Sequence, residues 1–187
     1  MFTYVIDVKE LYSGVFGELR AVKIPNLVER IMAHWLFKTE PDAFSIDDLA
    51  ARTHQTEPWD GVRNYQARNF LRDNVALGDT VFIYHSSCKH VGIAGVAEVV
   101  KAGYPDSTQF DPESKYFDPK SSQENPRWFR VDVKFVEKFK RVLALSDIKQ
   151  MPEITELGLV KKGSRLSIMP VTKSEWQQLY AAAKQGV

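Results

Sequence analysis

Thirteen residues in the second half of the chain, Arg127 to Phe139 (RWFRVDVKFVEKF), alternate in side-chain character almost without a break. Phe129, Val131, Val133 and Phe135 fall on one side, and Trp128, Arg130, Asp132 and Lys134 on the other. Period two marks a β-strand with one buried face, and a slip of one residue would turn the apolar set into water. A chain holding such a strand must build a sheet beside it and cover one face of that sheet.

Other segments supply the neighbours. His34 to Lys38 reads as a first strand, with Trp35 and Phe37 on one face and Leu36 and Lys38 on the other. Thr80 to Ser86 is rich in β-branched and aromatic residues, and Val91 to Lys101 follows it across Ser87 to His90 as a hairpin. Gly92 and Gly95 in that second strand predict a bulge or a close backbone approach. Arg165 to Val171 is a last strand. Ser45 and Asp48 have capping-box spacing ahead of a helix over Ile46 to Arg52, and Thr172 and Glu175 repeat the signal. The second box opens a final helix that buries Trp176, Leu179, Tyr180 and Ala183. Short helices are expected at Ser146 to Gln150 and Glu153 to Leu157, and Thr53 to Pro58 is expected to be a loop. The sum is an α+β fold of about five or six mostly antiparallel strands with short helices, either a small barrel or a strongly bent sheet.

Charge excludes a generic polyanion binder, since 25 basic and 24 acidic side chains nearly cancel over 187 residues. Their distribution is uneven, because residues 120–150 hold eight basic and four acidic groups, a local basic face able to follow phosphates over a short distance. No apolar run reaches the ~18 residues of a membrane span. The start, MFTYVIDVKE, lacks the basic and apolar regions of a secretory signal. A single cysteine, Cys88, precludes an intrachain disulfide and a cysteine-rich metal site. Residues 1–31 match no recognisable pattern. Met32 is a candidate natural start, which makes the segment before it an extension or an upstream-start artefact and leaves 32–187 as the domain.

Trp59 to Asn69 (WDGVRNYQARN) is too polar for a core segment, and Val62, Tyr65 and Ala67 do not share one helical register. Gly61 supplies a turn and Asn64 a helix N-cap, predicting a loop that leads into a helix over Tyr65 to Asp73. The loop would present Trp59 and Asp60, and the first turn Arg63, Asn64 and Arg68. An indole beside carboxamide and guanidinium groups suits a planar heteroaromatic ring. The competing reading makes Trp59 a buried anchor and the charged groups local ion pairs. Tyr104 to Asn125 has no period, yet its Tyr104, Phe110, Tyr116 and Phe117 favour an ordered loop able to wall a pocket.

For catalysis the chain offers His34, His54, His85 and His90 as bases, Asp60 or Asp79 as orienting groups, and Ser86 or Cys88 as nucleophile. Adjacent strand residues face opposite ways, so His85 is badly placed to activate Ser86. No metal-ligand spacing or glycine-rich phosphate loop occurs. Neither a metal nor a cofactor is expected.

The segments WLFKTEP (35–41), FSIDDL (44–49), WDGVRNYQARNFLR (59–72), GDTVFIYHS (78–86), IAGVAEV (93–99), YPD (104–106), YFDP (116–119), PRWFRVDV (126–133) and RLSIMPV (165–171) together resemble the EVE domain. That family belongs to the PUA-like superfamily, and within it the chain resembles the thymocyte nuclear protein type. The resemblance runs in order from residue 33 to about 180. It implies a PUA-like pseudobarrel and a non-catalytic module that binds a modified base, 5-methylcytosine or its oxidised forms, in DNA or RNA. Carried over by position, it implies a pocket of Trp35, Lys38, Trp59, Val62, Asn64, Tyr65, Arg68, His85, Ser86, Tyr104 and Trp128. For Trp35 and Trp128 the alternative is core burial, which would remove them as stacking walls. A general PUA-like RNA-binding module is the other reading. A monomer without membrane attachment is expected, cytoplasmic in a bacterium and nuclear in a eukaryote.

Overall fold

The structure is a computed structural model that describes residues 32–185; residues 1–31, read above as an extension, lie outside the described residues. Six strands form one mixed sheet: β1 His34–Thr39, β2 Thr56–Trp59, β3 Thr80–His85, β4 Gly92–Pro105, β5 Phe129–Ala144 and β6 Ile168–Val171. Their order is β2-β5-β4-β3-β1-β6. β1 runs parallel to β3, and the other four pairings are antiparallel. The parallel pair follows from the long crossover between them, which holds α1 (Ile46–Ala51), β2 and α2 (Tyr65–Asn69). The sheet is open, with β2 and β6 as its edges.

Alternation along the strands divides the apolar residues between two cores. Trp35, Phe37, Val81, Ile83, Val131 and Val133 face one core with Ile46, Leu49, Trp59 and Leu71. Leu36, Phe82, Tyr84, Ile93 and Leu143 face the other with Leu157, Met169 and Leu179. Sheet residues are thus buried on both faces, and Leu36, Phe37 and Phe82 are fully buried. The bulges expected near Gly92 and Gly95 are present, with register breaks between Ile83 and Tyr84 and between Ile93 and Gly95. Glycine is required at 95, because a Cβ there would sit 2.3 Å from the Glu137 carbonyl oxygen.

Both capping boxes form. The Asp48 N–H donates to Ser45 Oγ at 3.1 Å, and the Glu175 N–H to Thr172 Oγ1 at 3.2 Å. The second box opens α4 (Lys173–Gln185), whose buried face carries Glu175, Leu179 and Ala183 with Trp176 and Tyr180 packed beside it. Other expectations change. Residues 153–157 are not helical; the Glu156 and Leu157 N–H groups donate to the buried Glu175 carboxylate at 2.8 Å each, so the segment satisfies its backbone without a helix. The Thr53 to Pro58 loop instead contains β2, which pairs with β5 as an edge strand, where Pro58 is tolerated. α2 stops at Asn69 and continues as a π-helical turn, Phe70–Asn74. α3 spans Leu145–Ile148, one residue earlier than expected at its start.

Candidate functional site

Beside the carboxyl ends of β1 and β3 lies a cleft of about 780 Å³. β1 contributes Lys38, β2 ends in it with Trp59, and the loop that follows contributes Asp60, Val62 and Asn64. Phe44, Ser86, Tyr116 and the Arg165 to Ser167 segment complete the lining. Elements distant in sequence meet here because the parallel β1–β3 pair brings Thr39 and Ser86 together, with the Ser86 N–H and Oγ both donating to the Thr39 carbonyl at 2.8 and 3.1 Å.

Trp59 is 7% exposed and packs on Phe37 and Phe44, with ring centroids at 5.4 and 6.2 Å. It is both an anchor of the first core and part of the cleft wall, so the two readings of this residue merge. Next to it the chain turns at Gly61, whose φ of +73° suits glycine. A Cβ at Gly61 would lie 2.5 Å from Tyr116 Cζ, so glycine also lets the Tyr116 ring close on the turn.

Arg63 ties the opposite wall down. It donates to Asp106 Oδ2 at 2.8 Å, to Thr108 Oγ1 at 3.0 Å and to the Tyr116 carbonyl at 2.6 Å. Asp106 is fully buried and also accepts from the Gly61 and Thr108 N–H groups. Burial pushes its carboxyl upward, but the hydrogen bonds from Arg63, Thr108 and Gly61 outweigh this and hold it below the usual aspartate range. Buried Gln109 bonds the Asp106 and Trp128 carbonyls and the Arg127 and Trp128 N–H groups. The long segment after β4 is therefore an ordered wall.

Polar groups converge on the cleft. The Asp60 side chain is 40% exposed, with Arg130 at 3.8 Å. Partial burial, reinforced by nearby Asp106, raises its carboxyl above the usual range. Asn64 caps α2 by accepting from the Ala67 N–H at 3.0 Å, which commits its oxygen and leaves its amino group as a donor. Lys38, whose pKa burial lowers, sits 5.8 Å from the Tyr84 ring centroid. Together these groups offer an aromatic border, a carboxylate, an ammonium and a carboxamide donor, which suits a flat, polar-edged ring.

The EVE domain sequence pattern matches residues 33–182. The chain belongs to the EVE domain family. Thymocyte nuclear protein 1 of Homo sapiens is 44% identical over 167 residues, covering 81% of this chain and 74% of that protein. A crystal structure of a Pseudomonas putida protein matches with a TM-score of 0.78 and 52% identity, over 81% of this chain and 99% of that one. Human THYN1 in complex with DNA containing 5-methylcytosine matches with a TM-score of 0.74 and 43% identity, over 81% of this chain and 98% of that one. The open six-stranded sheet with its short helices is the PUA-like pseudobarrel of these EVE domain structures.

Of the positions the EVE resemblance implied, Lys38, Trp59, Val62, Asn64 and Ser86 line the cleft. Six do not. Trp35 is buried in the first core, its Nε1–H donating to Asp79 at 2.9 Å. His85 is buried, and its Nε2 accepts from the Ile46 N–H at 3.1 Å, a bond unrelated to Ser86. Trp128 is 6% exposed and donates to Asp118 at 2.7 Å. Tyr65 stacks on Trp128 with centroids 5.0 Å apart, and the Arg68 and Arg127 guanidiniums lie 5.2 and 5.6 Å from the Tyr65 ring centroid. Tyr104 donates to Asp132 and lies beside Lys101. Trp35 and Trp128 are thus core and support residues, not walls of the cleft. Sequence reasoning missed Phe44 as a wall and left Asp60 outside the implied set. Tyr116 was signalled by the aromatic content of its loop and by the YFDP segment, and stood outside the implied pocket.

Proposed function

We propose that this EVE domain is a non-catalytic reader of a modified cytosine in nucleic acid, holding the extruded base in the cleft bordered by Trp59, Phe44 and Tyr116. The observation that carries the reading is the convergence of that aromatic border with Asp60, Asn64 and Lys38. Cytosine presents an amino donor beside ring-nitrogen and carbonyl acceptors. The Asp60 carboxylate suits the amino group, and the Lys38 ammonium and Asn64 amino group suit the acceptors. Val62 and Phe44 supply the apolar contact that a 5-methyl group needs. Extruding a base costs a few kcal/mol, and aromatic stacking returns roughly 1–3 kcal/mol per base, so the aromatic border can offset the flip. The complex of human THYN1 with DNA containing 5-methylcytosine supports the choice of base.

The test is fluorescence anisotropy of labelled oligonucleotides, as DNA and RNA, that differ only in cytosine modification, at fixed salt. Modified DNA should bind tighter than unmodified DNA or RNA, and Asp60→Asn should weaken binding of modified and unmodified cytosine alike by about 1–3 kcal/mol, the range of a good base-edge contact, leaving the preference for the methyl group in place. Equal, weak, salt-sensitive binding to every oligonucleotide would refute the reading.

A further inference from the structure

A second groove, of about 830 Å³, lies where β4 begins and β5 ends, lined by Lys89, His90, Val91, Arg141, Ser146 and Asp147 among others. Its wall is built by the pairing of Gly92 with Ala144 and by the Leu145 N–H donating to the Val91 carbonyl at 3.0 Å. Gly92 is needed there, since a Cβ would fall 2.1 Å from the Leu143 carbonyl oxygen. Lys89, His90 and Arg141 are exposed, and among the described residues neither Lys89 nor Arg141 forms an ion pair. Exposed Lys140 and Lys149 stand close by in sequence. Of the eight basic residues between 120 and 150, Arg141 lines this groove, on the same lining as the Asp147 carboxylate.

Its distance from the cleft is bounded by the chain. Ser86 lines the cleft and Lys89 the groove. Three residues span at most about 11 Å, roughly three base steps of one strand at ~3.4 Å each. The turn between them is tight, with Ser87 at φ 54°.

We infer that this groove holds the phosphodiester backbone of the strand flanking the base in the cleft, with Lys89 and Arg141 as the phosphate contacts. Unpaired cations on a concave surface suit a polyanion, and such contacts carry affinity without sequence information. The inference rests on the proposed reading only for the base that enters the cleft.

The experiment uses the full chain, the variant Lys89→Gln/Arg141→Gln, and two single-stranded DNAs, one about five and one about fifteen nucleotides long, each made with a central 5-methylcytosine and with unmodified cytosine in its place. On a single strand each phosphate contact adds about 0.7 to the slope of log affinity against log salt, so two contacts are worth roughly tenfold at ~0.15 M salt relative to ~1 M. The variant should bind the long strand about tenfold more weakly and the short one as before. Its slope of log affinity against log salt should shrink by about 1.4, or about 0.7 per phosphate on single strands. An unchanged slope would overturn the inference, as would an equal loss in Lys162→Gln/Lys173→Gln, which removes two exposed charges elsewhere. If neither protein distinguishes modified from unmodified cytosine but the slope still shrinks, the base reading fails and the groove stands.

Discussion

Gly61 carries two constraints at one position. Its positive φ excludes most side chains, and the Tyr116 ring occupies the space a Cβ would need. Gly61→Ala should therefore destabilise the fold by about 1–3 kcal/mol, the usual cost of a strained backbone position. It should also weaken oligonucleotide binding by more than that loss explains, because the ring must leave the cleft wall. Denaturant melts beside anisotropy titrations check both, and full stability with unchanged affinity would contradict the account. Trp59→Ala is a poorer probe of the cleft. Removing an indole packed on Phe37 and Phe44 costs about 3–5 kcal/mol by itself and confounds binding with folding. Asp60, exposed at the cleft, separates the two effects better.

At the scale of elements, α1 hangs on a titratable bond. Its first N–H, on Ile46, donates to His85 Nε2, so that nitrogen must be unprotonated. Burial lowers the His85 pKa, with Lys138 adding to the effect and Asp47 and Asp48 opposing it. His34 is lowered by burial as well. A histidine with a depressed folded-state pKa binds its proton more readily in the unfolded chain, so stability is full above pH ~6.5 and falls as pH drops below it. Each such histidine contributes a slope of at most about 1.4 kcal/mol per pH unit. His85→Gln keeps an acceptor for the Ile46 N–H and removes the titration. Its stability should change less between pH 7 and 5.5 than the parent's, as read by urea denaturation; parallel curves would show that His85 does not titrate in this window.

Across the whole molecule, one sheet separates two cores and joins them through strands buried on both faces. Neither core can loosen without exposing the back of the same strands. Leu179 of α4 is fully buried in the second core, and the cleft borders the first. Leu179→Ala should cost about 2–5 kcal/mol. Tryptophan fluorescence and oligonucleotide binding should still be lost in one coincident thermal transition, at a lower Tm. Separate transitions would indicate cores that unfold independently.

Much of this was legible in the chain. Alternation placed β1 and β5, because a half-buried strand writes its period into local sequence, while β-branched and aromatic content placed β3, with β4 as its hairpin partner. Both capping boxes and the Asn64 cap were readable for the same reason, since the bonding partners lie within three residues. The four-residue β2 escaped because Pro58 hides an edge strand whose existence depends on pairing with β5. The non-helical 153–157 segment depends on the Glu175 carboxylate supplied by a later element. Which aromatic side chains would border the cleft was a question of three-dimensional placement. Trp35 and Trp128 are as apolar and as flat as Trp59, yet they are buried outside the cleft lining with their indole N–H groups bonded to Asp79 and Asp118. Local patterns determined most of the strands, the caps and the family of this protein; the pairing of β1 with β3 and the Arg63–Asp106 tie, each joining residues more than forty positions apart, decided where the cleft lies, because no local pattern encodes such contacts.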